Sequence, residues 1–209
     1  MDDTFYSIRT AVTAQIKVEG SRFIADAIPV TSEQEAKKHL ERIKKKYFDA
    51  THHCYAYVIG AERTIVRRSD DGEPSGTAGI RIQSAILSHH LSDTLVIVTR
   101  YFGGTKLGVG GLGKAYHEAA ARGIHSAEII SKALMNVVEV EFRFDDTNAV
   151  MNVIHTNKFK ITDSRYTDEK SVLHVLVPPA QYKNFHSLLI ETTRAHAVVV
   201  IDGQQTVIL

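Results

Sequence analysis

The stretch TLVIVTRYFGGTKLGVGGLGKAY (residues 94–116) joins an uncharged apolar run, a loop rich in glycine and the start of an alanine-rich segment. Residues 94–98 have no polar face, the pattern of a strand buried on both sides. Residues 112–132 (LGKAYHEAAARGIHSAEIISK) read as a long helix, weakened in its middle by Gly123. The loop therefore sits where a buried strand hands over to a helix. Two readings of it stay open. Its amides, the positive end of the helix and nearby cations form a natural cradle for an anion, with Arg100, Gly103, Gly104, Lys106, Gly108, Gly110, Gly111 and Lys114 as the candidate residues. Alternatively, the glycines only supply positive φ and let the strand approach its helix closely.

Within the loop, GVGGLGK at residues 108–114 satisfies G-x-x-x-x-G-K, the core of a nucleotide-binding P-loop. That motif needs a Ser or Thr hydroxyl after the lysine to ligate magnesium, and here the residue is Ala115. Residues 99–107 also separate the strand from the first matching glycine, which is too long a spacer for that architecture. An ordinary NTPase is excluded on both grounds.

Working outward, residues 8–17 and 22–30 are rich in β-branched side chains and flank Glu19, Gly20 and Ser21, so they read as a hairpin. Residues 31–35 offer a capping residue followed by acids, and Ala36, Leu40, Ile43 and Tyr47 then recur at helical spacing. A second hairpin is expected from residues 53–59 and 64–68, followed by a polar loop and a helix capped by Thr77 that runs to about His90. After residue 133 the order becomes strand, helix, strand, strand, helix, strand, the ferredoxin-like split motif. The expected class is α+β, with domains at residues 1–133 and 134–209.

Bulk properties narrow the function classes. The 209 residues are 44% hydrophobic and 23% charged, the make-up of a globular chain able to bury a core without staples. The formal net charge is only +1, so a nucleic acid or membrane partner must be met by a local patch. Lys37, Lys38, Arg42, Lys44, Lys45 and Lys46 form one such patch on the first helix, either as a solvated face or as a contact to phosphates. The single cysteine, Cys54, excludes an internal disulfide and fits a reducing compartment. The charged N-terminus shows no export signal and no apolar run spans a bilayer, so cytoplasm without a membrane is the expectation.

Other chemistry is thinner. Asp70, Asp71 and Glu73 share one loop with Ser75 and Thr77, one hairpin after His52, His53 and Cys54. Together they can be drawn as an acid–base or metal site, yet DDGEP is also ordinary turn chemistry and adjacent histidines on a strand face opposite ways. Asp70, Asp71, Glu73, Ser75, Thr77 and His53 are taken as the rim of a cleft shared with the glycine loop. No metal and no cofactor is expected.

Residues 70–79 (DDGEPSGTAG), followed by a helix, a buried strand and residues 100–108 (RYFGGTKLG), resemble the signature of the IMPACT family. KVEGSRF at 17–23 and HHCY at 52–55 are similar to the family's pattern as well, so the resemblance covers roughly residues 15–125. It implies an N-terminal domain like the second domain of ribosomal protein S5 and a ferredoxin-like C-terminal domain like those of elongation factor G. Both likenesses point toward translation. Eukaryotic members restrain a stress kinase that phosphorylates an initiation factor, whereas this chain looks like the bacterial form. The expectation is a translation-associated regulatory or binding protein that contacts the ribosome, RNA or a translation-related protein through the glycine-rich basic cleft, with a role in stress response. The alternative is an enzyme for a phosphorylated small molecule, with Asp70, Asp71 and Glu73 as acid, base or metal ligands.

Overall fold

The computed structural model describes residues 4–167 and 169–209. The charged start MDD, used above to argue against an export signal, lies outside them. Residues 5–131 form one compact unit, and Thr4 with residues 132–209 belongs to a second.

The first unit runs β1 (Thr4–Ile8), β2 (Val12–Val18), β3 (Ser21–Pro29), α1 (Glu33–Lys46), β4 (His52–Ile59), β5 (Ile65–Ser69), α2 (Gly79–Ser88), β6 (Thr94–Tyr101) and α3 (Gly108–His125). Strands β2-β3-β6-β4-β5 make an antiparallel sheet with the TLVIV strand, β6, at its centre. Side chains alternate along a strand, and here both faces are covered. Leu95 and Ile97 pack with Ala36 and Ile43 of α1, while Val96 and Val98 pack with Ile82, Ile86, Tyr116 and Ala119 of α2 and α3. Each such side chain, when fully buried, contributes about 1.5–3 kcal/mol, which is why a run without a polar face is stable only in the middle of the sheet.

Three local readings need correction. The strand expected over residues 8–17 is broken at residues 9–11. β1 leaves β2 and pairs instead with the strand Ile129–Arg143, beside which the Arg9 amide donates to the Glu128 carbonyl, and the Ser92 amide donates to the Tyr6 carbonyl. Thr77 does not cap α2. Its hydroxyl donates back to the Pro74 carbonyl, and the cap is supplied by Asp70, whose carboxylate accepts from the amides of Gly76, Ala78 and Gly79 at 2.8–2.9 Å. The helix expected over residues 112–132 is α3, which begins at Gly108 and ends at His125, and a strand begins at Ile129. Gly123 marks close packing: a Cβ there would lie 3.1 Å from the Cβ of Ala25 on β3.

The expected cap of α1 forms. The Glu35 amide donates to Ser32 Oγ at 3.2 Å, and the Thr31 amide donates to the Glu35 carboxylate at 2.8 Å, satisfying donors that a helix start leaves open.

The second unit runs β7 (Ile129–Arg143), a 3₁₀ turn (Phe144–Asp146), α4 (Thr147–Thr156), β8 (Lys160–Tyr166), β9 (Lys170–Val177), α5 (Pro179–Thr192) and β10 (Val198–Ile208). The division between units at residues 131 and 132 falls inside β7. β10, β7, β9 and β8 lie in that order with antiparallel pairing, and β1 joins the same sheet beside β7. Val138, Val140, Leu173 and Val175 form a core with Val150, Ile154, Phe185 and Leu189 of the two helices. β10 is interrupted once, by a bulge at Asp202, after which pairing with β7 resumes through Ile208. The molecule is thus mixed α and β, with two sheets and, among the described residues, five α-helices.

Candidate functional site

Arg100 continues the even-numbered face of β6, so its side chain enters the same side of the sheet as Val96 and Val98. Register places it between Phe23 of β3 and His52 of β4. It is 6% exposed and donates to Glu73 Oε1 at 2.7 Å, with a second guanidinium nitrogen 3.3 Å from Ser21 Oγ. Tyr116 of α3 donates its hydroxyl to the same Glu73 oxygen at 2.7 Å. His52 Nε2 is 3.9 Å from that oxygen, and the Tyr116 ring meets Phe23 edge to face at 5.2 Å. This is a buried charge network in which both terminal guanidinium nitrogens are partnered, while Arg100 Nε has no hydrogen-bond partner. Removing one member would strand the other charge away from water.

The neighbouring carboxylates face elsewhere. Asp70 serves the α2 start; burial acts to raise its pKa, but the amides of Gly76, Gly79 and Ala78 outweigh burial and hold it below the ordinary aspartate range. Asp71, at φ 42°, accepts from the His53 amide at 2.7 Å and from Lys44 Nζ at 3.1 Å. Those partners again overcome burial and lower its pKa. His53 points away from Arg100: its Nε2 donates to the Tyr47 carbonyl beside α1, and burial lowers its pKa. Cys54 donates to the Asp70 carbonyl at 2.9 Å, and burial pushes its thiol up to about 12, so it is an inert core group. Burial also raises the Tyr116 phenol far above its usual value, keeping it a donor. Asp70, Asp71 and Glu73 therefore hold three separate structural contacts and do not converge on a common point. Ser75 is exposed, and Thr77 is buried in its turn.

Above the Arg100–Glu73 pair opens a cleft of about 370 Å³, walled by Pro74, Phe102, Lys106, Leu107, Gly108, Val109 and Leu112. Phe102 is 49% exposed and Val109 69% exposed, so much of the wall is apolar and open to solvent. Lys106 is the free cation there, without an ion pair among the described residues. No side chain caps the α3 N-terminus at Leu107, which leaves its first amides unsatisfied at this cleft. Lys114 is exposed on α3 but is not part of the wall.

The glycines divide by role. A Cβ on Gly103 would come within 1.9 Å of the Gly20 carbonyl carbon, so this glycine is required by contact with the β2–β3 turn. Gly104 and Gly108 adopt positive φ, 88° and 67°, which only glycine does at no steric cost. Gly110 has nothing within 4 Å of its virtual Cβ, and Gly111 meets only the Leu107 Cβ at 3.5 Å. Neither has positive φ. Packing and dihedral angle explain the first group and leave Gly110 and Gly111, bare at an open helix start, unexplained.

The sequence model described as the Impact N-terminal domain matches residues 19–124, which contain the whole cleft. The IMPACT family member YvyE of Bacillus subtilis is 36% identical over 165 residues, covering 79% of this chain and 76% of its own length. The chain belongs to the IMPACT family. The family member YigZ of Escherichia coli is 29% identical over 185 residues, covering 88% of this chain and 90% of its own. A solved structure described as that of a hypothetical protein superposes with a TM-score of 0.69 at 27% identity, covering 96% of this chain and 98% of that one.

The segments that carried the IMPACT resemblance meet in space. Ser21 of KVEGSRF accepts from both Arg100 and the Gly103 amide, His52 of HHCY donates through Nδ1 to the Asp71 carbonyl at 2.8 Å, and Glu73 of DDGEP closes on Arg100 of RYFGG. Sequence reasoning grouped the acids as the rim of a cleft shared with the glycine loop and missed Ser21, Tyr116 and Phe102. The alternation from Val96 through Val98 to Arg100 was the signal that pointed Arg100 inward. Nothing local pointed to Tyr116.

Proposed function

We propose that this IMPACT protein is a cytoplasmic, translation-associated binding protein whose glycine-rich cleft holds a single-stranded stretch of RNA. A phosphate lies against Lys106 and the open amides of α3, and a base lies on Phe102. The reading is carried by one observation: an exposed aromatic ring, an unpaired lysine and an uncapped glycine-rich helix start share one cleft. Single-stranded nucleic acids are held by just such pairings of positive charge with a stacking surface. An acidic protein surface would use the lysine but leave the ring and the apolar wall without a role. Gly110 and Gly111 then let a phosphate approach the backbone where a side chain would stand in the way.

The family resemblance supports translation as the setting. The antiparallel β2-β3-β6-β4-β5 sheet with its helices fits an assignment to the ribosomal protein S5 domain 2 type, and the β10-β7-β9-β8 order fits a ferredoxin-like domain of the elongation factor G type. Residues 1–133 would be the domain that contacts RNA, with the ribosome as its natural source. Fold analogy alone carries no function, so the test addresses the cleft. Binding of a fluorescent single-stranded RNA and of purified ribosomes is measured across a salt series. The expected result is association that weakens with salt and is impaired in both Phe102→Ala and Lys106→Ala, since stacking on an aromatic side chain is worth about 1–3 kcal/mol per base. Absence of association, or association indifferent to both substitutions, rejects the reading.

A further inference from the structure

We propose that His89 and His125 form a binding site for a borderline divalent cation of the zinc type. His89 ends α2 as its C-cap and His125 is the last residue of α3, at the opposite end of that helix from the Lys106 cleft. Their Nε2 atoms lie 3.2 Å apart, with the rings inclined at 78°. The protonation of His89 follows from its surroundings. Its Nδ1 is 2.8 Å from the carbonyl of Ala85, which can only accept, so Nδ1 carries the proton and Nε2 presents its lone pair toward His125. Histidines that ligate metals are oriented in this way by an outer hydrogen bond to a backbone carbonyl.

The spacing fits a shared ion. Two zinc–nitrogen bonds of about 2.0–2.1 Å opened to a tetrahedral angle place their nitrogens about 3.3 Å apart. Neutral imidazoles suit zinc, copper and nickel over magnesium or calcium. Both histidines also stand at helix C-termini, where the carbonyl ends of the dipoles favour a cation. His125 is exposed and His89 half-buried, so the ion has direct access from solvent. Among the described residues no three His, Cys, Asp or Glu side chains converge as ligands. The pair therefore supplies two positions and leaves the others to water or to an incoming donor. The competing arrangement is a plain hydrogen bond in which His125 Nε2–H donates to His89.

Isothermal titration of the chelator-treated full chain with zinc chloride separates the two. The expected result is one zinc per chain, weakened at least about tenfold, the smaller loss that follows removal of even an outer partner, in each of His89→Gln and His125→Gln. His155→Gln, at an exposed position on α4, leaves it unchanged. A second readout needs no variant: in nitrogen-15 spectra of the histidine rings, zinc shifts the Nε2 signals of His89 and His125 together. No stoichiometric zinc uptake, or uptake that survives in both variants with unmoved His89 and His125 signals, overturns the site and leaves the hydrogen-bonded pair.

Discussion

At the residue scale, Asp70 and Glu73 show how one short loop holds two kinds of charge. Asp70 caps α2 from outside the helix, and its amide partners lower its pKa in the folded state. A depressed folded pKa means that the stabilisation is fully present above the unfolded value, near 3.9, and is lost as pH falls through the folded one. Asp70→Asn is therefore expected to lose about 2 kcal/mol at pH 7, the scale of hydrogen bonds to a charged group. In urea unfolding at a series of pH values, the gap from the parent protein should close below about pH 3.9; a gap that stays constant would contradict the charged cap. Glu73→Gln addresses the buried pair, since it leaves Arg100 charged and half-partnered at 6% exposure. Denaturant titration should show a loss of about 3 kcal/mol, and Glu73→Leu combined with Arg100→Met should recover much of it, because an apolar replacement removes both desolvated charges.

At the element scale, the strand–loop–helix passage from β6 to α3 separates glycines that build from glycines that admit. Gly103→Ala drives a methyl into the β2–β3 turn and should destabilise by more than about 3 kcal/mol, in the range of backbone clashes in a packed core. Gly110→Ala meets nothing and should stabilise the helix by up to about 1 kcal/mol while weakening RNA binding. Thermal melts and binding measured on the same two variants test this opposition; tighter or unchanged binding by Gly110→Ala would remove the anion role. Elements whose identity rests on burial were legible in the sequence: TLVIV has to be central because both its faces are apolar. Boundaries set by partners far along the chain were not. The break at Arg9 depends on Glu128, the α2 cap on Asp70 reaching eight and nine residues forward, and the end of α3 on where β7 begins. The site was half legible for the same reason. Lys106 and the glycines announce an open loop, but Glu73 meets Arg100 only once register sets His52 beside it.

At the scale of the whole molecule, each unit has its own sheet and its own apolar core, and the cleft lies entirely within the first. The described residues contain no helix long and apolar enough to cross a membrane. The small net charge makes any affinity for RNA a local property of Lys106, α3 and the basic side chains of α1 rather than of a global field. That distinction is measurable, because each phosphate contact on a single strand contributes about 0.7 to the slope of log affinity against log salt. The most direct test is fluorescence anisotropy of a short single-stranded RNA with the full chain and with Lys106→Ala, from low to physiological salt. The account predicts salt-sensitive binding by the parent protein and, for Lys106→Ala, weaker binding with a slope shallower by about 0.7. Identical slopes and affinities for the two proteins would contradict it.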